Sequence, residues 1–216
     1  MDKSQLLPLR PGPVVKSGCA AQRHLVIMAK LPEMGRVKTR LAKGIGAVAA
    51  TGFYRIQLTS ILRRLGKDNR WRTWVAVAPD TEVTNPFWPR HVDCFGQGGG
   101  DLGQRMATII HRMPPGPVII VGSDIPGLSQ SHIAAGFERL GGHDAVFGPA
   151  PDGGYYLVGL KRNLKSLDPF GNVRWSTSHA LEDTCANLKG RSIAYLGQLQ
   201  DVDTAEDLVA LKTVAP

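Results

Sequence analysis

No two cysteines of this 216-residue chain are close enough in sequence to make a motif. Cys19, Cys94 and Cys185 are three in number and far apart, with no CxxC pair. That excludes a disulfide framework and a cysteine zinc site, and it fits a reducing cytoplasm. No apolar run approaches the roughly 20 residues of a membrane span. The N-terminus is broken by Pro8, Pro11 and Pro13 and lacks the apolar stretch of a secretory signal. Phosphate-loop NTPase chemistry is excluded in its usual form, because GxxxxGK[ST] does not occur. Internal repeats and dividing linkers are absent too. Aromatic residues make up 6% of the chain, too few to stud a basic surface with base-stacking rings, so the net charge of +8 does not argue for a nucleic-acid reader. Lys3, Arg10, Lys16 and Arg23 against Asp2 put +3 of that +8 in residues 1–23. We read 1–23 as a flexible leader and 24–216 as a single domain.

What is present is an alternation of short apolar runs with helical patterns, as parallel βαβ units require. Strands are expected at 24–29, 71–78, 91–95, 117–122, 144–150, 155–160 and 192–197. Helices are expected at 48–66, 102–113, 131–140, 179–189 and 204–212, the last with Thr204 as N-cap and Asp207 in the capping-box position. Only "PDGG" joins 144–150 to 155–160. Four residues cannot hold a helical crossover, so these two strands should be antiparallel neighbours in a mostly parallel mixed sheet. In open sheets of this kind ligands bind beyond the carboxyl ends of the strands. The loops 30–46, 96–103, 123–128 and 200–204 all fall there.

The first of these loops, "AKLPEMGRVKTRLAKGIG", follows the first strand and packs Arg36, Lys38, Arg40 and Lys43 into eight residues after Gly35. A plain turn needs neither the glycine nor the charge. Gly35 permits close backbone approach, and Lys38 and Arg40 can neutralise phosphate oxygens. "VGSDIPGLS" sets Asp124 just past a very apolar strand, where a carboxylate suits a divalent metal shared with phosphates. "LQDVDTAEDL" adds Asp201 and Asp203 on another loop, although capping alone would favour aspartate there. "FGQGGGDLGQRM" is glycine-rich before a helix. Gln97 can read polar edges of a nucleotide, and Asp101 is placed with it. "PDGGYY" is either a hairpin turn or a substrate wall with Asp152 as general base and Tyr155 beside it. In "NVRWSTSHALEDT", Trp175 and His179 are candidates for the acceptor side, with a buried anchor and a plain helix start as the competing readings.

Taken in order, "AKLPEMGRVKTRLA", "QGGGDLGQRM", "GSDIPGL", "PAPDGGYYLVGL" and "DVDTAEDL" resemble a bacterial family of small GT-A-like nucleotide-diphospho-sugar transferases, some of them assigned as glycosyltransferases of arsenosugar biosynthesis. The resemblance covers about residues 24–212. It implies a GT-A-like, Rossmann-like three-layer α/β sandwich with one reversed strand. It also implies a nucleotide cradled by Lys38 and Arg40, and Mg²⁺ or Mn²⁺ on Asp124. The ending is similar to the DxDTPEDL of many nucleotidyltransferases, which makes Asp203 a second metal ligand, with Ala205 in place of the usual proline.

Three functions follow, in order of preference. The first is a metal-dependent glycosyltransferase acting on a nucleotide sugar and an unidentified small acceptor. The second is a nucleotidyltransferase joining an NTP to a phosphorylated substrate with release of pyrophosphate. "VKTRLA" also resembles the loop of guanylyltransferases that activate phospholactate, which keeps this second reading open. The third is a non-catalytic nucleotide-binding protein.

Overall fold

The structure is a computed structural model that describes residues 22–161 and 168–214. Most of the expected leader therefore lies outside the described residues. Seven strands form one sheet: β1 (His24–Lys30), β2 (Arg72–Ala78), β3 (Asp93–Gly96), β4 (Val118–Val121), β5 (Ala145–Pro149), β6 (Tyr155–Leu160) and β7 (Ile193–Tyr195). Their spatial order is β3-β2-β1-β4-β6-β5-β7. β1 runs parallel to β2 and β4, and β2 to β3. β6 is antiparallel to both β4 and β5, and β5 is parallel to β7. One strand of the seven is therefore reversed, and it is the one reached through the four-residue link.

The helices are α1 (Thr39–Ile45), α2 (Ala47–Gly66), α3 (Leu102–Arg112), α4 (Gln130–Gly142), α5 (Ala180–Ala186) and α6 (Ala205–Val214). α2 lays Leu58, Ile61, Leu62 and Leu65 against Leu25, Ile27 and Val75 on one face of the sheet. Each such buried side chain contributes about 1.5–3 kcal/mol relative to exposure. α4 covers the same face through Ile133, Phe137 and Leu140. The opposite face holds Val26, Trp74, Ile120 and Val158 under Met106 and Ile109 of α3, and under Phe170 and Leu188 around α5. Helices on both faces of a mixed sheet make the GT-A-like three-layer sandwich.

Element ends differ from the sequence reading where tertiary contacts decide them. The 179–189 segment is helical only over Ala180–Ala186, and β7 shrinks to three residues. The basic loop contains a seven-residue helix, α1, whose Leu41 is buried with Ala50 and Val202. At α6 the capping box forms as expected. Asp207 Oδ2 accepts from the Thr204 N–H at 2.8 Å, and the Asp207 N–H donates to Thr204 Oγ1 at 3.3 Å.

Candidate active site

A cleft of about 500 Å³ opens at the carboxyl ends of β1 and β4, beside the start of reversed β6. Its lip is built from three loops. After β1 the chain reaches Lys38, which caps α1 in a left-handed conformation (φ 47°, ψ 44°) that a residue with a Cβ rarely adopts. After β4 comes Asp124, and after β7 come Asp201 and Asp203. The Lys38 ammonium is buried between them, donating to Asp124 Oδ2 at 2.8 Å and to Asp203 Oδ1 at 2.7 Å. Arg40 reaches the other Asp203 oxygen at 3.4 Å from an exposed position.

Burial opposes the charge on Lys38, but the Asp124 and Asp203 carboxylates outweigh it and hold the ammonium above the ordinary lysine value. Asp201 shows the converse. Burial, followed by the neighbouring charges of Asp203 and Asp124, pushes it up to about 6. Asp124, Asp201 and Asp203 each place a carboxylate oxygen within 4.8 Å of the others. This half-buried set of hard oxygen donors could hold a metal ion.

Two further contacts hold the lip in place. The Tyr54 hydroxyl, carried by α2, takes the Lys30 N–H at 3.0 Å and lies 3.0 Å from Ser123 Oγ, tying the end of β1 to the loop that carries Asp124. Asp207 accepts from the Asp203 N–H at 3.0 Å, fixing the backbone of the second carboxylate loop.

Of the residues singled out in the sequence, Arg36, Lys38, Arg40, Gln97, Asp124, Tyr155 and Asp203 line this one cleft. Arg36 is exposed and pairs with Glu33 at 3.2 Å. Lys38 sits on the carboxylates expected to bind metal instead of standing free for phosphate. The Gln97 amide nitrogen donates to the Ala76 and Ala29 carbonyls at 2.8 and 3.3 Å, so that end of the side chain stitches β2 to β1.

The remaining candidates stand elsewhere. Gly35 takes a positive φ of 79° without lining the cleft. Asp101 is the N-cap of α3, accepting from the Gln104 N–H at 2.8 Å. Asp152 accepts from the Gly154 N–H at 2.9 Å, a turn bond, and is exposed. Next to it, Gly153 packs against the Ser178 backbone. Trp175 is half-buried and packs on Phe170, Tyr155 and Gly103. His179 is exposed, 3.2 Å from Glu182.

Sequence reasoning missed Tyr54, Ser123 and Arg105, which also line the cleft. Tyr54 falls on the apolar stripe of α2, and nothing in the spacing shows that its hydroxyl faces a site. Asp201 was visible two residues from Asp203, yet it was not chosen as a ligand.

Residues 61–177, just over half of the chain, match the family described as "Uncharacterized protein conserved in bacteria (DUF2064)". No curated protein matches the sequence. Among solved structures, a protein from Desulfovibrio desulfuricans G20 provisionally assigned as a nucleotide-diphospho-sugar transferase is 28% identical. It aligns over 88% of this chain and 85% of its own, with a TM-score of 0.80. The 4-diphosphocytidyl-2C-methyl-D-erythritol synthase of Anaerococcus prevotii DSM 20548 shares the fold at 9% identity, covering 89% and 97% of the two chains, with a TM-score of 0.58. Rv0371c of Mycobacterium tuberculosis H37Rv, solved as a manganese complex, does so at 13% identity, 89% and 98% coverage and a TM-score of 0.55. Among the described residues no helix is long and apolar enough to cross a membrane.

Proposed function

The chain belongs to the DUF2064 family, and within it we propose a metal-dependent glycosyltransferase that takes its sugar from a nucleotide-diphospho-sugar donor. The observation that carries this reading is the convergence of Lys38, Asp124 and Asp203, from three separate loops, on one point of the cleft. The similarity to the provisionally assigned sugar transferase supports it.

In this reading Asp124 and Asp203, with Asp201 beside them, hold Mg²⁺ or Mn²⁺. The bound metal supplies the positive charge that stabilises a departing nucleoside diphosphate. Lys38 and Arg40 add cationic hydrogen-bond donors to the same oxygens. Tyr54 keeps the two loops in register by bridging Lys30 and Ser123. Tyr155 and Met106 line the same cleft and in this reading would border the acceptor.

A second reading, nucleotidyl transfer, draws on the fold shared with the cytidyl-transferring synthase and on the same cation and carboxylate cluster. Product analysis separates the two. A glycosyltransferase given nucleotide sugars and Mn²⁺ slowly releases nucleoside diphosphate to water. Pyrophosphate formed from an NTP and a phosphorylated partner, with no turnover of any nucleotide sugar, overturns the proposal.

A further inference from the structure

The segment "FGQGGGDLGQRM" commits most of its polar and small residues to structural contacts within the fold. Gly96 packs on the Asp80 carboxyl, and Gly98 donates its N–H to that carboxylate at 3.1 Å. The Gln97 amide nitrogen is bound to two strand carbonyls, and Asp101 and Gln104 close a reciprocal cap on α3. A Cβ on Gly103 would lie 2.7 Å from the Phe170 carbonyl oxygen and 2.8 Å from the Trp175 ring. One strong group remains. Arg105 lines the cleft from the first turn of α3, and Nε donates to the Gly100 carbonyl at 2.9 Å. Among the described residues no carboxylate pairs with it, whereas Arg36 and Arg40 of the lip each pair with one and Lys38 with two.

With Nε fixed, the planar fork of Arg105 is oriented in advance for two parallel bonds to an oxyanion. Its neighbours on that wall, Leu102, Met106 and Tyr155, offer no competing charge. The lip already has its own cations for a diphosphate. We propose that Arg105 is the anion seat of a second subsite, which holds the carboxylate or phosphate of the substrate that meets the nucleotide sugar. This rests on the reading of the lip as the donor site, and it narrows the acceptor to small anionic molecules.

The Nε–H, bonded to a backbone carbonyl, provides a direct probe. In the full chain with Mg²⁺, the arginine Nε–H resonance absent from Arg105→Lys is followed by NMR. The titrants are glycerol 3-phosphate, glycerate and neutral glycerol. The expected result is a saturable shift with glycerol 3-phosphate or glycerate, whichever anion the seat takes, and none with glycerol. Arg105→Gln should weaken that ligand about 10- to 100-fold, the scale for hydrogen bonds to a charged group. It should leave the affinities of UDP, GDP, ADP and CDP unchanged. No shift with either anion overturns the proposal. So does a loss of nucleoside diphosphate affinity in Arg105→Gln, which would make Arg105 part of the nucleotide site. Failure of the wild type to bind any nucleoside diphosphate would instead count against the donor-site reading, and the Arg105 titration would still be readable.

Discussion

Lys38 and Asp124 stand 86 residues apart in the chain, and the ammonium of one donates to the carboxylate of the other at 2.8 Å. The same ammonium donates to Asp203 Oδ1 at 2.7 Å, so it already occupies two of the carboxylates proposed to hold a divalent cation. A cation held by those carboxylates would compete with the ammonium for their negative charge. On the proposed reading, nucleotide would draw Lys38 off the carboxylates and onto phosphate.

This exchange gives a prediction of unusual sign. Lys38→Met should bind Mn²⁺ several-fold more tightly than wild type in the absence of nucleotide, as counted by the free-ion EPR signal. It should bind nucleoside diphosphate about tenfold or more weakly, because a charge-assisted bond is lost. Weaker Mn²⁺ binding in the variant would contradict the exchange.

Gly103 tests how α3 is held. Gly103→Ala pushes a methyl into Trp175 and the Phe170 carbonyl. Overpacking of this kind costs about 1–3 kcal/mol, to be read as a lower urea midpoint at unchanged slope. An unchanged midpoint would mean that the Trp175 contact is slack.

Acid stability should depend on Asp183. Side-chain hydrogen bonds from Arg174 hold its carboxyl below the usual range. A depressed carboxylate stabilises the fold above the unfolded value, about 3.9, and that contribution is lost as pH falls further. Asp183→Asn should therefore be less stable than wild type at neutral pH and lose less on acidification below about pH 4. Urea midpoints measured against pH check this. Parallel curves for the two proteins would refute it.

Asp152 should behave as a turn residue. Asp152→Asn keeps an oxygen to accept from Gly154, so sugar-nucleotide turnover should change by no more than a few-fold. Removing a general base instead costs about 10²–10⁴-fold, and a loss of that size would restore Asp152 to the chemistry.

The sheet was legible because its strands are short apolar runs and because "PDGG" is too short for a crossover, which made β5 and β6 antiparallel neighbours; that β6 is the reversed one shows only in its pairing with β4. Lys38, Asp124 and Asp203 were legible as the polar residues that break those runs at the carboxyl edge. Their mutual ion pairs were not, since separations of 86 and 165 residues leave no local trace. The backbone partners of Gln97 and Asp101 were not legible either, for a related reason. A polar residue in a glycine-rich loop reads the same whether its partner is a ligand or a backbone group. Arg105 escaped notice because a helical arginine usually faces solvent, and only the packing of α3 turns it to the cleft.

The central claim is that Lys38, Asp124 and Asp203 form a metal-dependent donor site. Calorimetric titration of UDP-, GDP-, ADP- and CDP-sugars, with and without Mn²⁺, tests it most directly when wild type is compared with Asp124→Asn. At least one nucleotide sugar should bind the wild type more tightly with Mn²⁺, and that gain should vanish in the variant while its circular dichroism is unchanged. Equal Mn²⁺-dependent affinity in both proteins would contradict the account.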